Sequence, residues 1–130
     1  MKSILMTVFA FVFAMAVSAQ DQKPEDLVKV NTEVHDFGKV KQGTPVSYYF
    51  EVTNISEKPV VIENAWASCG CTVPEYSKEP IPAGKTVKLK VQYSAASAGH
   101  FEKDVFVKLA GITQPKTLHI KGDVEAPGTN

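Results

Sequence analysis

A two-residue alternation of apolar and polar side chains recurs along this chain, and it is the property that most limits the folds open to it. Val46, Tyr48, Phe50 and Val52 fall on one side of a run whose other side holds Ser47, Glu51 and Thr53. Val87, Leu89, Val91 and Tyr93 alternate with Lys88, Lys90 and Gln92, and Leu118, Ile120 and Val124 alternate with His119, Lys121 and Asp123. Phe101, Val105, Val107 and Leu109 make a fourth run, with Phe106 as a misfit on its polar side. Successive side chains of a strand point to opposite faces, so each run reads as a strand with one face buried and one in water.

Val60 to Ile62 leading to Trp66 is a shorter apolar run, Val28 to Phe37 a weaker opening strand, and Thr72 to Ser77 offers room for a seventh. Turn residues separate them: Gly38 to Gly43, Asn54 to Pro59, Pro80 to Gly84, Ser97 to Gly99 and Gly111 to Pro115. Short alternating strands punctuated by Gly and Pro predict an all-β fold, an immunoglobulin-like antiparallel β-sandwich of about seven strands whose sheets face each other about 10 Å apart. Alternation also predicts Tyr48 inside and Tyr49 outside.

The N-terminus follows a different pattern. Met1-Lys2-Ser3, an apolar centre from Ile4 to Ala16, and Val17-Ser18-Ala19 before Gln20-Asp21 have the form of a secretory signal peptide, with cleavage expected after Ala19. The apolar stretch is short of the roughly 20 residues a membrane-spanning helix requires, and no later run replaces it. The expected organisation is a signal peptide over 1–19, a flexible lead-in over 20–27, one sandwich domain over 28–124 and a tail over 125–130. About 111 residues then remain, close to the commonest size of a single domain. Export places the protein in the periplasm or outside the cell. Lysines and acids balance, and arginine, whose planar fork suits phosphate and guanine, is absent, which argues against nucleic acid as a partner.

Several landmarks occur in a fixed order: His35-Asp36-Phe37-Gly38, Gly43, Val52-Thr53-Asn54, Ser68-Cys69-Gly70-Cys71-Thr72-Val73-Pro74, Ile81-Pro82-Ala83-Gly84 and Gly99-His100-Phe101. From Val30 to Val124 the chain closely resembles the bacterial domain of unknown function 1573 family, common in exported proteins of Bacteroidetes, and the Cys-Gly-Cys turn is the strongest marker. The resemblance implies an immunoglobulin-like sandwich akin to Hydin-like and PapD-like domains. It implies no catalytic residue.

Cys69 and Cys71 admit three readings. Two thiols in an oxidising compartment rarely stay free, so the first is a structural disulfide or buried pair shaping the corner after the Trp66 strand. In an extended strand their α-carbons would sit about 6.5 to 7 Å apart, near the limit for a bridge, so a disulfide demands a bend, which Gly70 permits through positive φ. The second is thiol-disulfide exchange, although the spacing differs from the two-residue thioredoxin-like motif. The third is a soft-metal site, copper(I) or zinc, in which Cys69 and Cys71 join His35, His100 or His119.

Other signals have plainer explanations. Asn54-Ile55-Ser56 fits a glycosylation acceptor pattern but sits in a turn. Trp66, beside a cysteine turn in a sandwich, is expected in the core. Glu102 and Asp104 share a face, as paired catalytic carboxylates would, but charges on the solvent side of a strand are commoner. No phosphate loop, zinc-protease helix or nucleophile elbow occurs. The expectation is an exported, non-catalytic binding or scaffold domain without a cofactor. Its partner would be a protein of the cell envelope, met through the loop from Ser68 to Gly84 or by strand addition at a sheet edge.

Overall fold

The alternating runs become two facing sheets in a computed structural model that describes residues 21–128. In chain order the strands are β1 (Val28–Val30), β2 (Val34–Lys41), β3 (Val46–Asn54), β4 (Ile62–Ala67), β5 (Thr72–Glu75), β6 (Thr86–Tyr93), β7 (Gly99–Leu109) and β8 (Lys116–Glu125). One sheet has the order β1-β3-β6-β5, the other β2-β8-β7-β4. The expected signal peptide over 1–19 lies outside the described residues.

Register follows the pattern of side chains. Opposite each other in β3 and β6 stand Phe50 with Leu89 and Tyr48 with Val91 on the inner face, and Glu51 with Lys88 on the outer. In the second sheet Val105 faces Leu118 across β7 and β8. Phe50, Leu89, Val91, Val105, Leu109, Leu118 and Ile120 are fully buried between the layers. Tyr49 is exposed as expected, while Tyr48 is half-buried.

The opening strand departs from expectation. Val28 to Phe37 is two strands in different sheets: β1 pairs antiparallel with β3, whereas β2 pairs with β8, and in parallel. The chain changes layer at Asn31 and Thr32, where Asn31 Oδ1 accepts the Glu51 N–H at 2.9 Å, Asn31 Nδ2 donates to the Tyr48 hydroxyl at 2.9 Å, and Thr32 Oγ1 accepts the Val34 N–H at 3.3 Å. A strand that crosses between layers is not bound to reverse direction as hairpin strands are. The sandwich therefore has eight strands and one parallel pairing.

The His35-Asp36-Phe37-Gly38 landmark marks a β-bulge. The β2–β8 register shifts between Asp36 and Lys39, Gly38 takes φ +67°, and Asp36 Oδ1 accepts its N–H at 2.8 Å. Gly122 packs against this bulge: a Cβ there would stand 2.8 Å from the Phe101 ring and 2.9 Å from the Gly38 carbonyl oxygen.

Two polar groups are buried at one end of the sandwich. Asn54 is fully buried, its Nδ2 donating to the carbonyls of Lys58 at 2.7 Å and Ile81 at 2.8 Å, its Oδ1 accepting the Ser56 N–H at 2.9 Å and hydroxyl at 2.7 Å. The acceptor-like Asn54-Ile55-Ser56 triplet is thus a hydrogen-bonded corner. Lys116, its side chain 8% exposed, is held by Glu33 and by Glu25 at 3.1 Å. Burial lowers the Lys116 pKa, but the hydrogen bonds to Glu33 and Glu25 and their charges outweigh this and the net shift is upward. The Glu25 contact joins the lead-in to this end of the sandwich, where Pro24–Asp26 form a 3-10 turn with Pro24 buried.

Candidate functional site

The Ser68-Cys69-Gly70-Cys71 segment carries the chain from β4 in one sheet to β5 in the other. Cys69 and Cys71 are joined as a disulfide with their α-carbons 5.3 Å apart, shorter than an extended spacing and within the usual span of a bridge. The bend is fastened from three sides. The Ser68 N–H donates to the Asp104 carbonyl at 3.1 Å, the Ser94 N–H to the Cys71 carbonyl at 2.9 Å, and the Thr72 N–H to the Cys69 carbonyl at 3.4 Å. Gly70 is not among the glycines with positive φ, so the bend does not use the conformation expected to permit it. Nothing lies within 4 Å of a Cβ placed at Gly70, so the site is open to a small side chain.

Both cysteines are half-buried, and Cys71 packs against the core. The hydroxyl of Thr72, itself buried, stands 3.6 Å from the Cys71 sulfur and 3.8 Å from that of Cys69. These two sulfurs are the side-chain partners of that hydroxyl among the described residues.

Trp66, expected in the core, is 39% exposed on the outer face of β4. The cause is a second bulge. The β4–β7 register shifts between Ile62 and Asn64, which reverses the phase set by buried Ile62 and turns Ala65 and Ala67 inward and Trp66 outward. Trp66 stacks on its cross-strand partner Phe106 with ring centroids 5.5 Å apart and planes at 28°. Phe106, the misfit on the polar side of β7, is the other half of this outer aromatic pair.

The remaining candidates are dispersed. His35 packs inward, stacked on Tyr48 at 3.6 Å and edge-on to Phe37 at 4.6 Å, and its burial lowers its pKa below the usual imidazole value. It sits on β2, at the opposite sheet edge from β4, with β8 and β7 between. At the ordinary strand spacing that separation is roughly 14 Å, so the fold does not bring His35 to Cys69 and Cys71. His100 and His119 lie on the outer face of β7 and β8 beside carboxylates: His100 contacts Asp123 at 3.0 Å and Glu102 at 3.3 Å, and His119 contacts Asp104 at 2.6 Å. Hydrogen bonds to Asp123 and then Glu102 raise the His100 pKa. Glu102 and Asp104 do share a face, yet each is engaged by a different histidine rather than aimed at a common point. Among the described residues no group of three or more His, Cys, Asp and Glu side chains is placed to hold a metal ion.

The Ser68 to Gly84 segment is not one open loop. Thr72 to Glu75 pairs with β6, and Ile81 is buried and exchanges backbone hydrogen bonds with Val60 at 3.0 and 2.7 Å. Every sheet edge also carries a feature that discourages a further strand: β1 has three residues, β5 contains Pro74, and β2 and β4 are bulged. A surface depression of about 470 Å³ lined by Leu27, Ser56, Pro59 and Val60 lies at the other end of the molecule, on the Asn54 loop. Among the described residues no helix is long and apolar enough to cross a membrane.

Two four-stranded sheets packed face to face, one of them bulged at both of its edge strands, make an immunoglobulin-like β-sandwich. Residues 28–124 match the family described as protein of unknown function, DUF1573, and the chain belongs to that family. No curated protein matches the sequence. Among solved structures, a protein of unknown function from Porphyromonas gingivalis W83 aligns with TM-score 0.65 at 12% identity over 75% of this chain and 46% of its own. This chain thus spans less than half of that protein. The ASH/PapD-like domain 7 of human CEP192 aligns with TM-score 0.63 at 10% identity, covering 86% of this chain and 94% of its own. The VesB protease of Vibrio cholerae aligns with TM-score 0.59 at 17% identity over 76% of this chain and 32% of its own. At these identities the likeness is one of fold.

Proposed function

We propose that this is an exported, non-catalytic binding or scaffold domain of the cell envelope, and that it meets a protein partner at the cysteine-turn end. The observation that carries the reading is the outward Trp66–Phe106 stack beside that turn. Tryptophan is enriched at the energetic centres of protein interfaces, and an aromatic pair held rigid by cross-strand stacking loses little entropy on binding. Val73, 52% exposed on β5 just past the turn, is a separate apolar side chain on the outer face of the other sheet. Contact through this end is favoured over strand addition, because all four sheet edges are short, bulged or interrupted by proline. Export is supported by the Met1 to Ala19 pattern.

The test has two arms. Mass measurement of the protein recovered from the envelope fraction should show an N-terminus at Gln20, and recovery of the intact chain from the cytoplasm would defeat the export reading. Cross-linking in envelope extract should then give partners with the native protein that are lost with Trp66→Ala; the same partners in both samples would remove the aromatic pair from the interface.

A further inference from the structure

We infer that the Cys69–Cys71 bridge is an exchangeable disulfide, one that takes two electrons from a dithiol and does so in a fixed order, with Cys69 attacked and Cys71 released. This goes beyond the binding role and does not depend on it.

Three observations lead there. The bridge closes a ring across a single intervening residue, so it restricts the unfolded chain very little and the core does not depend on it. The two sulfurs are inequivalent: both cysteines are half-buried, but Cys71 packs against the core and Cys69 is not among the residues packed there. An incoming thiolate therefore reaches the Cys69 sulfur first. Finally, the Thr72 hydroxyl is within reach of both sulfurs, 3.6 Å from that of Cys71, so its O–H can donate to the negative charge that appears there as the bond breaks.

The chemistry closes as follows. One thiolate of the dithiol attacks Cys69 Sγ, the Cys69–Cys71 bond breaks, and its electron pair leaves on Cys71 Sγ, which takes up a proton. The second thiolate of the dithiol then attacks its own partner sulfur in the mixed disulfide, and Cys69 leaves as a thiolate and is protonated in turn. The dithiol departs as a disulfide, and its two protons and two electrons now reside on Cys69 and Cys71.

Small thiols need no docking surface, so a test with them is independent of any envelope partner. Folded protein incubated with dithiothreitol and then alkylated should gain two adducts by mass while its β-sheet circular dichroism persists; a bridge that yields only in denaturant would overturn the proposal. Against Ellman's reagent, Cys69 in the Cys71→Ser protein should react about tenfold faster or more than Cys71 in the Cys69→Ser protein. Equal or reversed rates would refute the order of attack. In the Cys69→Ser background, Thr72→Val should move the pH profile of Cys71 alkylation by iodoacetamide to higher pH, and Thr72→Ser should restore it. An unmoved profile would remove Thr72 from the chemistry.

Discussion

The two ends of this sandwich solve the same problem, turning the chain between layers, by opposite means. At one end Asn54 is sealed from water with every side-chain polar atom bonded, and nearby the nearly buried Lys116 is clamped by Glu25 and Glu33. At the other end the turn rests on backbone hydrogen bonds and a half-buried bridge between Cys69 and Cys71. A buried, saturated polar network is costly to break because each orphaned partner has lost its water as well. A short covalent ring is not costly to lose, because it restricts the unfolded chain very little. The lesson is a division of labour: the Asn54 end is fastened by a saturated polar network, and the cysteine end is where we propose contact and chemistry.

The largest test of that contrast is Asn54→Leu. It strips the Lys58 and Ile81 carbonyls of one of their two partners each and leaves the Ser56 N–H without its acceptor, so we expect a loss of about 3 kcal/mol, read as a lower urea midpoint at unchanged m value. A loss near that of the cysteine variants would erase the distinction. Gly122→Ala comes next, at about 2 kcal/mol, because its methyl would collide with the Phe101 ring and the Gly38 carbonyl. That result would show that tight packing persists beyond the cysteine turn and that the slack is local to it.

The third test is replacement of both cysteines by serine, which removes only the restriction of a tiny ring, about 1.5 kcal/mol or less. A loss of 4 kcal/mol or unfolding at room temperature, against that estimate, would make the bridge a structural staple and reverse the comparison. Gly70→Ala, at the same turn, should change stability by about 0.5 kcal/mol or less, since φ is not positive and the space is open.

The smallest effects come from His35 and His100, which respond to pH in opposite senses. Burial beside Tyr48 lowers the His35 pKa, so its contribution is intact above the unfolded value near 6.5 and declines as pH falls below it. For His100, hydrogen bonds to Asp123 and Glu102 raise the pKa, so its contribution is complete below that value and disappears as pH rises through the higher folded one. Imidazole chemical shifts followed by NMR should give midpoints on opposite sides of 6.5. Midpoints on the same side would show that one of the two environments is wrongly assigned.

Most of the fold was legible because alternation is a local property of a strand. Phe50, Leu89, Val91, Leu118 and Ile120 went to the core as their period requires. Trp66 did not, because a single inserted residue at the Glu63 bulge reverses every side chain after it, and no rule of composition marks where a bulge will fall. Asn54 was legible only as a turn residue for a similar reason: its partners Lys58 and Ile81 meet it only once the turn and a distant segment are folded together. The cysteine pair was visible from the start as a turn with chemical capacity. The inequivalence of its two sulfurs was not.

The amino-acid order alone settled the class of fold and the resemblance to the DUF1573 family, since both rest on local periodicity and on motifs contiguous in the chain. Tertiary structure alone decided the parallel β2–β8 pairing, the outward Trp66–Phe106 stack and the distance of His35 from the cysteines. Those are relations between residues far apart in the chain or dependent on strand register, and register is decided only when two sheets close on a common core.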